Sequence, residues 1–163
     1  MIRVGIIGAG GNTISAHLPK LIEQSGVEVV SVANRTVASG KKVAKKFNIP
    51  KVYDDWQNII TDDEVDAVCI GTWPYMHSTI TVEALEEGKH VLTEARMAMN
   101  SEEAELMHNI SKSYPDLITQ IVPAPHTLPY DKTIKQWVTE EMGDLILFDV
   151  RSSTGEFLSL IHI

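Results

Sequence analysis

Gly5-Ile6-Ile7-Gly8-Ala9-Gly10-Gly11-Asn12-Thr13 is the stretch that decides the fold. The apolar run at 3–7 has strand character, and residues 14–24 beyond the glycines repeat with helical period. A glycine turn between a strand and a helix has a physical use. Gly8 permits the tight turn, and Gly10 lets backbone approach a diphosphate with no Cβ in the way; the helix start, through Gly11, Asn12 and Thr13, supplies unpaired N–H groups and a positive dipole end. Thr13 occupies the position where glycine or alanine is usual, which predicts a helix set slightly farther from its strand.

Outward from this turn, Val- and Ile-rich runs at 28–33, 65–70, 90–92 and 117–122, with a short one at 51–53, alternate with helical stretches at 37–47, 55–60, 78–87 and 101–113. Strands alternating with helices predict an α/β fold, a doubly wound parallel sheet built from βαβ units (a Rossmann fold). Asn100 followed by Glu103 reads as a capping box for the last helix. Pro19 deletes a donor inside the first helix and predicts a kink. Pro123, Pro125 and Pro129 then break the pattern, and a helix at 131–141, Gly143 as its C′ residue and a strand at 145–150 follow. One helix and one strand cannot bury their own apolar faces. We therefore expect residues 1–122 to form a dinucleotide-binding domain, and 123–163 to be the connection and opening of an α+β domain whose remainder is absent.

Composition narrows the classes further. In 163 residues, 14 Lys+Arg against 22 Asp+Glu leave a net charge of −8 and no basic stripe, which argues against nucleic-acid or anionic-membrane partners. Lys41, Lys42, Lys45 and Lys46 read as a solvated helix face. A single cysteine, Cys69, excludes an intrachain disulfide and a cysteine-based zinc cage, and no apolar run approaches the ~18 residues of a membrane span. The expected setting is cytoplasmic.

Candidate site residues gather at the carboxyl ends of the strands, where doubly wound folds bind ligands. The second strand ends in Ala33-Asn34-Arg35-Thr36, with no acid for a ribose 2′-hydroxyl. Asn34 donates without repelling a phosphate, and Arg35 can pair with a 2′-phosphate, so NADP is expected over NAD; a solvated arginine beside a Thr36 helix cap explains the same residues. Gly71-Thr72-Trp73-Pro74-Tyr75-Met76-His77 reaches the same edge, either to pack against a nicotinamide or to cover the sheet end, with His77 read as a helix-start residue. Thr93-Glu94-Ala95-Arg96 follows the next strand. His126 lies in the proline-rich connection and reads as an exposed loop residue, while Cys69 in its strand reads as a small apolar one.

Three stretches, Gly5 to Gly11 with His17-Leu18-Pro19, Gly71-Thr72 with His77, and Gly88-Lys89-His90-Val91-Leu92-Thr93-Glu94, resemble the amino-terminal half of the Gfo/Idh/MocA family of NAD(P)-dependent oxidoreductases. The resemblance implies a Rossmann domain followed by an α+β domain that provides the substrate pocket and often the dimer contact, hence a homo-oligomer. It also implies hydride transfer between a nicotinamide and a sugar, polyol or related metabolite. Gly8, Gly10, Gly11, Asn12 and Thr13 then hold the pyrophosphate, Asn34 and Arg35 the adenosine end, and Thr72, Trp73 and His77 the nicotinamide side. Glu94 and Arg96 border the small-molecule substrate, Glu94 also touching the cofactor, and an acid or base comes from the second domain. The family tripeptide is usually Glu-Lys-Pro, and here Ala95 and Arg96 replace the lysine and proline. Arginine stays charged and orients groups, but is no general base. The 163-residue chain is therefore expected to bind cofactor without turnover. A non-catalytic dinucleotide sensor or assembly protein is the alternative that Ala95 favours; a methyltransferase would want an acid where Asn34 stands.

Overall fold

The computed structural model describes residues 1–122, 130–144 and 147. Strands β1 (Ile2–Ile7), β2 (Val27–Ala33), β3 (Lys51–Tyr53), β4 (Ala67–Ile70), β5 (His90–Thr93) and β6 (Thr119–Ile121) form one sheet in the order β3-β2-β1-β4-β5-β6. Every pairing is parallel, and the order reverses at β1, so the crevice opens between the ends of β1 and β4. The doubly wound Rossmann sheet expected from the alternating pattern is what forms.

Helices α1 (Leu18–Glu23) and α2 (Val37–Phe47) cover one face, and α3 (Gln57–Ile60) and α4 (Pro74–Glu86) the other. The pleat divides the strands accordingly. Val4, Ile6 and Cys69 pack with Leu18, Val43 and Ala44, whereas Ile7, Val68 and Ile70 pack with Ile59, Ile80 and Leu85. Two-sided burial is why these strands are apolar nearly throughout. Helix α5 (Ser101–Ser113) leans mainly on α4, with Met107 its one buried residue. Strand β6 is exposed along its length at the sheet edge.

The amino-terminal strand ends are stitched by charge. Arg3, opening β1, grips Asp66 through Nη2 at 2.6 Å and Nε at 3.0 Å while its N–H donates at 2.8 Å. Asp62 accepts from Lys51 Nζ and from the Tyr53 hydroxyl, both at 2.8 Å. Lys89 Nζ donates to the Asp62 and Val65 carbonyls.

Several expected bounds change, among them the helix at 55–60, which shortens to α3. The helix at 14–24 is a π-helical turn, Thr13–His17, running into α1. Leu18 N–H donates five residues back to the Thr13 carbonyl; widening the turn ahead of Pro19 adjusts the register where proline lacks a donor. The helix expected at 78–87 begins at Pro74, a residue pre-set for the first helical position. The strands expected at 65–70 and 117–122 shorten to β4 and β6.

The chain divides into two compact units, Met1–Ala124 and Pro125–Ile163. In the second, α6 (Asp131–Gln136) continues as a π-helical turn, Trp137–Glu141, and Gly143 follows at φ +66°. The proline connection with His126 and, but for Leu147, the strand expected at 145–150 lie outside the described residues.

Candidate functional site

The turn after β1 is held open by its neighbours. Gly8 takes φ +84°, and its N–H donates to the Ala33 carbonyl at 2.8 Å, tying the turn to the end of β2. A Cβ here would stand 2.6 Å from Thr72 Cγ2 and 2.8 Å from Thr72 N, so both conformation and space require glycine. Gly10 N–H turns back to the Gly8 carbonyl, and Ile14 N–H makes the first helical bond, to Gly10. Among the described residues, no acceptor takes the N–H groups of Gly11, Asn12 or Thr13. A Cβ on Gly10 or Gly11 would meet nothing within 4 Å. The result is a backbone cradle of free donors at a helix start, beside open space.

Thr13 turns inward, almost fully buried, and its hydroxyl donates to the Gly8 carbonyl at 3.2 Å. Gly71 makes the room for it: a Cβ there would collide with Thr13 Oγ1 and come within 2.6 Å of the Gly8 carbonyl oxygen. The larger residue in the loop is thus matched by a missing side chain across the crevice.

Asn34 clips the loop, accepting at Oδ1 from Ala9 N–H at 2.7 Å. Arg35 is exposed, and Thr36 caps α2 by accepting from Ser39 N–H at 3.3 Å. Beyond β4, Thr72 Oγ1 is buried with no partner, Trp73 is 70% exposed and Tyr75 63%. His77 is buried within α4, its Nε2 3.0 Å from the Thr72 carbonyl oxygen and its Nδ1 3.2 Å from that of Arg96. The ring therefore ties the Thr72 loop to the loop after β5. Arg96 sits at φ +58°, a left-handed conformation uncommon for arginine, with its side chain in solvent beside exposed Ala95.

Glu94, at the end of β5, accepts at one carboxylate oxygen from Asn12 Nδ2 and pairs there with His17 Nε2. Burial alone would raise its pKa; the hydrogen bonds from His17 and Asn12 outweigh it and hold the carboxyl below its usual range. His17 was legible only as part of the resemblance. His17 lies in the π-helical turn, and its partner is 77 positions farther along the chain. Beneath the site, burial first and the Glu94 charge second push the Cys69 thiol up to about 12, which fits an inert, apolar role. No His, Cys, Asp and Glu cluster among the described residues is arranged to hold a metal ion, and no helix among them is long and apolar enough to cross a membrane.

A Gly-rich turn after β1, a crevice at the β1/β4 switch and a carboxylate after β5 coincide with a match of residues 2–120 to the model of an oxidoreductase family with an NAD-binding Rossmann fold. The chain belongs to the Gfo/Idh/MocA family. Among relatives, trans-1,2-dihydrobenzene-1,2-diol dehydrogenase of Bos taurus is 34% identical over 169 residues, covering 99% of this chain and 48% of that protein. Human glucose-fructose oxidoreductase domain-containing protein 2 is 30% identical over 157 residues, 96% of this chain and 40% of that one. KijD10, a 3-ketoreductase from Actinomadura kijaniata solved with TDP-benzene and NADP, is similar at TM-score 0.75 and 25% identity, over 86% of this chain and 44% of its own. The chain spans less than half the length of these Gfo/Idh/MocA relatives.

Proposed function

We propose that this chain is the cofactor-binding part of an oxidoreductase that moves hydride between a nicotinamide dinucleotide and a CH–OH or carbonyl carbon of a sugar, polyol or related metabolite. The observation that carries it is the cradle itself: free N–H groups of Gly11, Asn12 and Thr13 at the helix start, with open space over Gly10 and Gly11. The orphaned Thr72 hydroxyl beside Gly8 is a second sign that a polar group completes the site. One relative is named as a dihydrodiol dehydrogenase, and a similar structure holds NADP in a ketoreductase, both consistent with this chemistry.

When bound, the cofactor supplies the hydride. The protein's part is placement. Gly8 to Thr13 cradle the diphosphate, Asn34 fixes the cradle, and exposed Arg35 meets the adenosine end, where the absence of an acid favours NADP. Trp73 offers an aromatic face at the crevice, and His77 sets the Thr72 loop from below. Glu94, oriented by His17 and Asn12, presents an acceptor, and Arg96 a fixed positive charge toward substrate. The proton-handling group and the contact for a homo-oligomer belong to a second domain, as the family resemblance implies, while the described residues of the first supply the cofactor cradle.

Calorimetric titration tests the reading. NADP should bind more tightly than NAD, and Arg35→Ala should weaken NADP about tenfold, roughly the worth of one charge-assisted phosphate contact, while sparing NAD. Equal affinities, or tighter NAD, would remove the NADP preference, and no binding of either would remove the reading. Exposed Ala95 specifically favours a second reading, a dinucleotide sensor. NADP binding with no change in the reduced-nicotinamide absorbance on a panel of sugars and polyols, in a protein that carries both domains, would establish it.

A further inference from the structure

Glu94 is docked on the cradle itself. One of its carboxylate oxygens accepts from the Asn12 side-chain amide, and Asn12 N–H is one of the free donors at the helix start. A negative charge is thereby anchored beside a site built for an anion, where it opposes a diphosphate. Among the described residues, His17 is the one side chain able to carry a positive charge that bonds to it: Nε2 pairs with the same Glu94 oxygen. The pair is mostly enclosed, the His17 side chain 12% exposed and that of Glu94 19%, so solvent and salt screen the carboxylate less than they would at the surface.

We propose that His17 is the counter-ion of Glu94 in cofactor binding: as an imidazolium it cancels the carboxylate charge beside the cradle, and as a neutral imidazole it leaves that charge to repel the diphosphate. The inference rests on the dinucleotide reading and adds a pH dependence to it. A neutral imidazole can still donate through Nε2, so the contact survives loss of the proton and only the charge changes. Burial works against ionised Glu94, but the hydrogen bonds from His17 and Asn12 outweigh it and hold the carboxyl below its usual range, so this partner stays charged near neutral pH. The other ionisable groups around the pair are silent there. Cys69, on the strand beneath, has its thiol pushed up to about 12, mainly by burial. The side chains of Arg96 and Lys20, nearest in sequence to Glu94 and His17, are exposed and keep one charge throughout.

The test is calorimetric titration of NAD into the full 163-residue chain at about pH 5.5 and about pH 8.5, on either side of the range where imidazoles change charge. NAD is the probe because NADP carries a phosphate monoester that itself titrates at about pH 6. Affinity should fall about tenfold between the two, the effect of one partly screened unit charge, and the difference should shrink in about 1 M salt. Glu94→Gln keeps an acceptor and loses the charge. It should bind NAD about tenfold more tightly than the wild type at the higher pH, with no pH dependence left. His17→Gln keeps a donor and cannot charge, so its affinity should stay at the wild type's high-pH level throughout. A pair that merely braces the loops would weaken binding in both variants alike at every pH, and that result overturns the proposal. So does a wild-type affinity independent of pH, or a Glu94→Gln variant that gains nothing at the higher pH. Those failures leave the dinucleotide reading standing, whereas no binding of NAD or NADP at any pH removes both.

Discussion

At Gly8, one residue serves turn, hydrogen bond and close approach together. Gly8→Ala forces a side chain into φ +84° and against Thr72, and should cost about 2–4 kcal/mol, read from the urea midpoint. Its place in a glycine loop was plain from the sequence; its contact with Thr72, 64 positions away, was not. Asn34 shows the same division. Its lack of charge could be read directly, but its grip on Ala9 N–H arises only because β1 and β2 end side by side. Two substitutions separate these roles. Asn34→Leu should lose about 1–2 kcal/mol by stranding the Ala9 N–H. Asn34→Asp keeps an acceptor, so stability should hold in denaturation, while NADP affinity falls about tenfold and NAD is spared in calorimetry.

Elements follow local chemistry except where partners intervene. Helix α5 begins as its residues predict, with Asn100 Oδ1 accepting from Glu103 N–H at 2.8 Å. The Glu103 carboxylate reaches one residue farther back than the usual capping box, to Met99 N–H at 2.9 Å. Asn100→Ala should therefore cost about 1 kcal/mol in thermal unfolding, with Asn100→Ser recovering most of it. In the turn before α1, Pro19 announced an irregularity but not its form. A wider turn and a kink both accommodate a missing donor, and the π-helical one is accompanied by the His17–Glu94 pairing across the crevice.

The described residues place the stabilising charge pairs at one sheet edge and the candidate site at the other. Asp66 is held far below the usual carboxylate range by the Arg3 side chain first and its N–H next, and Asp62 down to about 2, mainly by Lys51. Both are lower folded than unfolded, so their stabilisation is complete above about pH 5 and is lost as pH falls through about 4 toward 2. Urea unfolding followed across that window should show the loss, and Asp66→Asn should flatten it; an unchanged slope would contradict the Arg3–Asp66 contribution.

Alternating strand and helix periods, the glycine turn and the placement of candidate residues after strands were sufficient to specify a doubly wound parallel sheet and the edge where the candidate residues gather. Periodicity carries that information because burial on both faces constrains every residue along a strand. Which side chains meet across the crevice is decided only in three dimensions. Thr13 with Gly71, Asn34 with Ala9, and Glu94 with Asn12 and His17 come from loops far apart in the chain, and only strand order and register bring them within reach.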